Sequence, residues 1–276
     1  MENLQPTSLL FHHDGEKYEH QATVQACIAF SELPEADQAL FKDAPSDLHA
    51  VVVNETIFHP QGGGQPSDVG SIKSELASFD VLSARTSVTY QGVVLHFGKF
   101  APATATFKVG ESVALAIDKE KRILFSKYHT AGHVLGSAVR HLLENEVPGF
   151  DELKASHFPD SASCEFAGSI AGSHKDAIQK KLDEFIAAGM PIEIDWWSEE
   201  DFHREGVARL IPDDAVREAM GVKPGEKFRM VKIVGAEVYP CGGTHVRTTD
   251  ACGKTIVRKI ARSKGQSRVS YTLSDA

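Results

Sequence analysis

At 276 residues with a formal net charge of −9 at pH 7, the chain is long enough for two domains of ordinary size and too acidic for general, charge-driven affinity for nucleic acid. Its four cysteines, Cys27, Cys164, Cys241 and Cys252, are irregularly spaced and make no disulfide framework in a chain this long, which points to a reducing compartment. No basic segment leads into an apolar run at the amino terminus and no apolar stretch approaches a membrane span, so a cytoplasmic protein with no membrane partner is expected.

The first third of the chain reads as β structure. Residues 50–58 form a run of β-branched and apolar side chains, and residues 71–82, 90–97 and 113–118 alternate in part, with Gly70, Gly92, Gly98 and Gly110 as punctuation. Short strands separated by glycine turns predict a small β-barrel or compact antiparallel sheet. Between the first two of these strands lies Pro60-Gln61-Gly62-Gly63-Gly64-Gln65-Pro66-Ser67-Asp68. Three successive glycines are costly to order and are kept where the backbone must turn or approach something closely. A loose turn is the plain alternative; a phosphate-binding loop is a poor fit, because the stretch lacks the GK[ST] ending and opens no helix.

The pattern becomes helical after Asp118. Ile123, Leu124, Ala131, Leu135, Val139 and Leu142 recur at three-to-four spacing, and Pro148-Gly149 close the segment. We therefore divide the chain into a β-barrel-like domain, residues 1–117, and an α+β domain, residues 118–276. In the second domain the sequence predicts a strand at 163–167, a helix from 173 to 188 stopped by Gly189, a strand at 191–197, short helices at 199–205 and 213–219, a strand at 228–234, and a closing hairpin, 255–260 with 268–273, around Gly265. The fold class expected is α+β, with helices packed on an antiparallel sheet.

Two patterns in this second domain ask for the same metal. His129-Thr130-Ala131-Gly132-His133 places two imidazoles on one face of the predicted helix, and Cys241-Gly242-Gly243-Thr244-His245 brings a thiol and an imidazole together through a glycine turn. Mixed nitrogen and sulfur donors favour Zn2+. The first pattern alone occurs on ordinary amphipathic helices, and with Thr130 in second place it is not the HExxH of a zinc protease. The second is hard to explain as packing. Farther on, residues 254–268 carry Lys254, Arg258, Lys259, Arg262, Lys264 and Arg268 with no acidic residue among them. This run is a candidate for contact with nucleic-acid phosphates, and its plain reading is a solvated edge strand.

HTAGH, CGGTHV and GGGQPSDVG together resemble the AlaX-type free-standing alanyl-tRNA editing proteins and the editing domain of alanyl-tRNA synthetase, and more distantly that of threonyl-tRNA synthetase. The likeness covers most of the chain. It implies trans-editing: deacylation of mischarged tRNA(Ala) carrying serine, or glycine, by zinc-dependent ester hydrolysis. It also implies that His129, His133, Cys241 and His245 are the zinc ligands, through which catalysis would run, and that Gly62, Gly63, Gly64 and Gln65 belong to the glycine-rich element near the editing pocket. In the segment 146–158, where relatives carry a Gln or Thr implicated in reading the substrate side chain, Ser156 and His157 are the occupants this chain offers. His59 and Gln61 stand where Tyr and Glu are frequent, Gly132 replaces a bulkier residue, and Tyr239 takes a place often held by glycine.

On the chemistry itself, zinc would either activate water and the ester carbonyl or only position the substrate. Four protein donors would close a tetrahedral sphere, so a catalytic role needs one weak ligand, with His245 the candidate, or a fifth position. His157, His59 and Asp68 are the candidates for a general base, each with a structural alternative. The rival functions are a zinc-stabilised tRNA-binding module and a zinc hydrolase acting on a small ester or amide.

Overall fold

A computed structural model describes residues 4–41, 45, 47–219, 222–223 and 225–274. The chain forms two compact units, one comprising Met1–Gly62 and Pro66–Arg122, the other Gly63–Gln65 and Ile123–Ala276.

The first unit is a closed six-stranded antiparallel barrel. Its strands are β1 (Glu19–Ala29), β2 (His49–Val53), β3 (Gly70–Lys73), β4 (Ser78–Thr86), β5 (Val94–Ala101) and β6 (Ser112–Ile117), in the order β1-β2-β5-β4-β3-β6 with β6 returning to β1. Two bulges, between Val24 and Ala26 and between Val81 and Ser83, bend β1 and β4 so that the sheet can close. Gly98 pairs with Val81 at the second bulge, where a Cβ would run into the carbonyl of Asp80. Phe79, Phe100 and Phe107 pack edge to face and tilted inside, with centroids 4.8 to 6.4 Å apart. Also buried in this unit, Arg122 meets Asp68 in an ion pair and donates to the carbonyls of Ile57 and Gly15, while Asp68 Oδ2 accepts the His59 N–H at 2.6 Å. The predicted strand at 71–82 is in fact two, β3 and the start of β4, because residues 74–77 turn; the Ser74 N–H bonds back to Ala77 O at 2.9 Å. β1 lies in a segment the sequence did not mark as a strand.

The second unit is α+β. Helix α1 (Lys119–Leu143) begins beside Asp118, whose Oδ1 accepts the Lys121 N–H at 3.0 Å as an N-cap should. From Ile123 onward α1 belongs to this unit. Its Ala131, Val134, Leu135, Ala138 and Val139 are buried at three-to-four spacing. They pack with Phe166, Ile178, Leu182, Val269 and Tyr271 in one core. The main sheet contains β7 (Asp151–Ser156), β8 (Ser163–Ala167), β12 (Thr255–Ser263) and β13 (Gln266–Leu273), ordered β12-β13-β8-β7 and antiparallel throughout, with α2 (Lys175–Ala187) packed against β12. A second, three-stranded sheet runs β9 (Ile192–Trp197), β10 (Phe228–Ile233), β11 (Glu237–Pro240). Over it sits a smaller core of Trp197, Phe202, Phe228, Met230 and Val238; Phe202 comes from the helix α3 (Glu199–Arg204), capped by a Ser198/Asp201 capping box, and a further short helix, α4 (Asp214–Ala219), follows. The architecture is the α+β class with an N-terminal barrel that the sequence predicts. The hairpin is longer than predicted: β12 and β13 run to Ser263 and from Gln266, and Lys264 and Gly265, both at positive φ (50° and 77°), make the two-residue turn. The four cysteines are free, and no helix among the described residues is long and apolar enough to cross a membrane.

Candidate metal centre

His129 and His133 stand one turn apart on α1, their rings edge to face at 4.9 Å. Immediately after β11, the Cys241–His245 segment turns back onto the helix. Cys241 Sγ lies 3.3 Å from His129 Nε2 and 3.4 Å from His245 Nε2. One donor atom from each of His129, His133, Cys241 and His245 falls within 4.8 Å of the other three. Two distant segments thus deliver four soft or borderline donors to one point, and the group can hold a metal ion.

Each donor is oriented by a partner behind it. His129 Nδ1 donates to Gln65 Oε1 at 2.7 Å, which leaves its Nε2 lone pair facing the cluster. Gln65 Oε1 also accepts the Thr244 N–H at 3.0 Å, and its amide donates to Thr244 Oγ1 at 2.8 Å; Ser126 Oγ completes the chain 2.7 Å from that hydroxyl. His245 Nδ1 sits 3.1 Å from Thr130 Oγ1, which accepts the Val246 N–H at 3.2 Å. The Cys241 thiol accepts from the Gly243 N–H at 3.3 Å, and its carbonyl accepts Arg229 Nη1 at 2.5 Å. His133 stands on Tyr239, 4.4 Å between rings, and the Tyr239 hydroxyl donates to the His133 carbonyl at 3.3 Å.

The electrostatics of the cluster suit a cation. Burial, with lesser contributions from His157 and Arg229, pulls His133 down to about 3, so it is a neutral imidazole, and its buried Nδ1 has no hydrogen-bond partner among the described residues. Burial pushes the Cys241 thiol up, opposed by the Arg229 charge and the Gly243 N–H. A divalent ion reverses that balance and takes the thiolate. An orphaned imidazole nitrogen, a buried thiol and two further oriented imidazoles fit a metal ion.

The glycine-rich loop divides. Gly62 is exposed and groups with the barrel unit, whereas Gly63, Gly64 and Gln65 belong to the second unit. Gly64, at φ +78°, accepts the His157 N–H at 2.8 Å, and a Cβ there would collide with the Ala155 carbonyl. Ser156 ends β7, half-buried, and His157 follows it into the centre: its ring stacks on His129 at 4.1 Å. The six basic residues from Lys254 to Arg268 are all exposed, on β12, its flanks and β13. Asp68 is occupied by Arg122 and the His59 N–H, and His59 packs on Phe11, so both act in the barrel. Thr130, Thr244, Ser126, Tyr239 and Tyr271 carry no motif signal of their own; Thr130 and Thr244 stood inside the two metal patterns as spacers, and a polar residue retained between ligands was the one available hint.

The family model for class II tRNA synthetases (A) matches residues 2–121. The alanyl-tRNA editing protein AlaX-L of Pyrococcus horikoshii is 31% identical over 227 residues, covering 82% of this chain and 52% of that protein. Alanine–tRNA ligases match at lower identity: that of Methanosphaera stadtmanae is 27% identical over 83% of this chain and 25% of its own length, and that of Thermotoga petrophila 28% over 83% and 25%. The chain thus spans about half the length of the first of these relatives and a quarter of the ligases. With Gly63–Gln65 and both ligand patterns in one unit, the chain is similar over most of its own length to an AlaX-type alanyl-tRNA editing protein.

Proposed function

We propose that the protein is a trans-editing hydrolase that deacylates mischarged tRNA(Ala), removing serine and glycine and sparing alanine, with Zn2+ held by His129, His133, Cys241 and His245. The observation that carries the reading is the convergence of those four donors within 4.8 Å, with Gln65 fixing the tautomer of His129 and Thr130 placed against His245 Nδ1. A bound zinc ion supplies Lewis acidity toward an ester carbonyl and toward water. The chain's own residues supply the rest. Gln65 holds His129 with its Nε2 lone pair free and Thr130 orients the His245 ring; Gly63 and Gly64 keep the loop free of side chains, so that its backbone can approach the terminal adenosine of the tRNA. Lys254, Arg258, Lys259, Arg262, Lys264 and Arg268 present an exposed basic edge to tRNA phosphates, and the free cysteines suit a cytoplasmic setting.

A second reading rests on the same donor count. Four protein ligands close a tetrahedral sphere, and a closed sphere stabilises a fold without taking part in chemistry. The test is deacylation of seryl-, glycyl- and alanyl-tRNA(Ala) with and without a chelator. Editing requires hydrolysis of the first two, sparing of the third, and loss of activity on metal removal with the fold retained. Loss of folding together with activity supports the structural reading, and equal rates on all three esters remove the editing function.

A further inference from the structure

Arg85, near the end of β4 in the barrel unit, is a charge that the fold leaves unanswered. Its Nε is buried without a hydrogen-bond partner, no carboxylate among the described residues pairs with it, and burial acts on the half-buried guanidinium with no neighbouring charge to offset the cost. Two deeply buried arginines are treated otherwise: Arg122 is met by Asp68, and Arg140 by Glu152 and Glu237. Asp37, wholly buried, reaches the residues just beyond β4 but is taken there by Ser87 Oγ and the Val88 N–H, each at 2.9 Å. Arg85 pairs with Leu95 across β4 and β5, so its stem leaves the sheet on the face that buries Leu95 with Leu48 and Phe97. Covering apolar surface accounts for the stem and leaves the charged head to explain.

The chain beside Arg85 carries a second unexplained residue. The Gln61 N–H donates to the Ala84 carbonyl at 3.0 Å, which sets this segment alongside the end of β4. Gly62, the next residue, is exposed; its φ is not positive, and a Cβ added to it would meet only the Pro60 carbonyl, at 3.8 Å. Neither backbone conformation nor crowding requires glycine there. Bare backbone near an uncompensated guanidinium suits an anion that approaches the chain closely.

Resting on the editing reading above, we propose that Arg85 is an anion-binding residue of the barrel, its guanidinium taking one phosphodiester of the tRNA backbone as it passes the bare Gln61–Gly62 segment. A guanidinium fork matches two phosphate oxygens and remains charged at every pH at which the protein folds. The phosphate supplies in the complex the counter-charge that the free barrel lacks. Arg85 therefore costs the free protein stability and returns it as affinity, the reverse of a residue kept for the fold.

The experiment compares Arg85→Met, Arg85→Lys and Lys99→Met with the unaltered full chain, metal-loaded. It titrates a tRNA(Ala) transcript at several salt concentrations, titrates inorganic phosphate separately, and follows urea unfolding. Methionine keeps an apolar stem and removes the charge; Lys99→Met removes a charge from the same barrel that Asp47 already holds at 2.9 Å. Arg85→Met is expected to bind the transcript about 10-fold more weakly, with a slope of log affinity against log salt shallower by about 1, and to unfold at the same urea concentration or a higher one. Arg85→Lys should restore the slope and only part of the affinity, and Lys99→Met should change neither. Affinity and slope equal to those of the unaltered protein overturn the assignment, as does an equal loss in Lys99→Met. A lower urea midpoint in Arg85→Met makes Arg85 a residue of the fold and overturns it too. Inorganic phosphate binding that Arg85→Met abolishes, with affinity for the transcript untouched, gives the site to a small anion and removes the tRNA contact. If the Arg85 variants bind like the unaltered protein while seryl-tRNA(Ala) is still deacylated, Arg85 alone fails; if the unaltered protein neither binds the transcript nor deacylates, the editing reading fails and this contact with it.

Discussion

The Nδ1 of His129 lies 2.7 Å from Oε1 of Gln65, so a residue of the glycine-rich loop fixes the proton on a ligand of the metal centre. The same oxygen accepts the Thr244 N–H, which ties the loop to the Cys241–His245 turn as well. The amide is thus engaged with protein partners at both ends. Gln65→Ala should lower metal affinity about 10- to 100-fold, as loss of a ligand-orienting partner does. Competition against a chromophoric chelator measures this, and an affinity equal to that of the unaltered protein would remove Gln65 from the support of the site.

Gly243 has an ordinary φ, yet a Cβ on it would collide with the His129 ring and come within 2.8 Å of Gln65 Oε1. The need for glycine here is steric, not conformational. Gly243→Ala is expected to abolish stoichiometric metal binding, whereas Gly172→Ala, where nothing stands within 4 Å of the added carbon, should leave it untouched. Metal content after dialysis separates the two outcomes.

In the barrel unit, Arg122 and Asp68 are both almost fully buried and satisfy one another. Removing one partner strands a charge. Asp68→Asn or Arg122→Met should each destabilise by about 3–5 kcal/mol, and the double replacement should cost less than the sum. Urea unfolding of the four proteins closes the cycle; simple additivity would mean that the two groups do not depend on each other.

Three imidazoles are held neutral by burial: His96 at about 4, and His133 and His157 at about 3, against 6.5 for an unperturbed histidine. The unfolded chain takes up protons near pH 6.5 while the folded metal-free protein does not. Stability is therefore intact above that pH and is lost as pH falls from about 6.5 toward 4, by about 1.4 kcal/mol per pH unit for each histidine. His96, which lies 2.8 Å from Thr56 Oγ1 and 2.9 Å from the Val51 carbonyl, isolates the barrel's share. In metal-free protein, His96→Gln should reduce the slope by about that amount. A stability that stays flat between pH 7 and 5 would contradict the assignment.

Much of this was legible in the residues and some was not. The four donors announce themselves through spacing, because a helix turn and a glycine turn each need four positions to bring two ligands together. α1 ends at Leu143, a few residues before the Pro148-Gly149 pair read as closing it, and its buried face repeats regularly up to that point. β1, by contrast, is a strand of mixed polarity, Glu19–Ala29 with only Ala22, Val24 and Ile28 well buried; a barrel strand exposes one face, and without a continuous apolar run it gave little signal. Residues 74–77 break a run that reads as one strand, since nothing in Ser74, Glu75, Leu76 and Ala77 marks a turn by composition. The supporting shell was invisible for another reason. Thr130 with His245, Gln65 with Thr244 and His157 with Tyr271 are pairs separated by more than a hundred residues, and such partners become readable only after the fold has brought them together. Gly132 is the instructive case: in the sequence it is a departure from the family's habit, and in the fold it is the space that His157 fills.

The most direct measurement is stepwise reconstitution of the metal-free protein with cobalt or zinc, following bound metal, the cobalt–thiolate absorbance and seryl-tRNA(Ala) deacylation in the same samples. The account predicts one ion per chain, a thiolate band that disappears in Cys241→Ser, and activity that rises in proportion to the ion bound. Full deacylation by the metal-free protein, or an ion that binds with no thiolate band and no effect on rate, would contradict it.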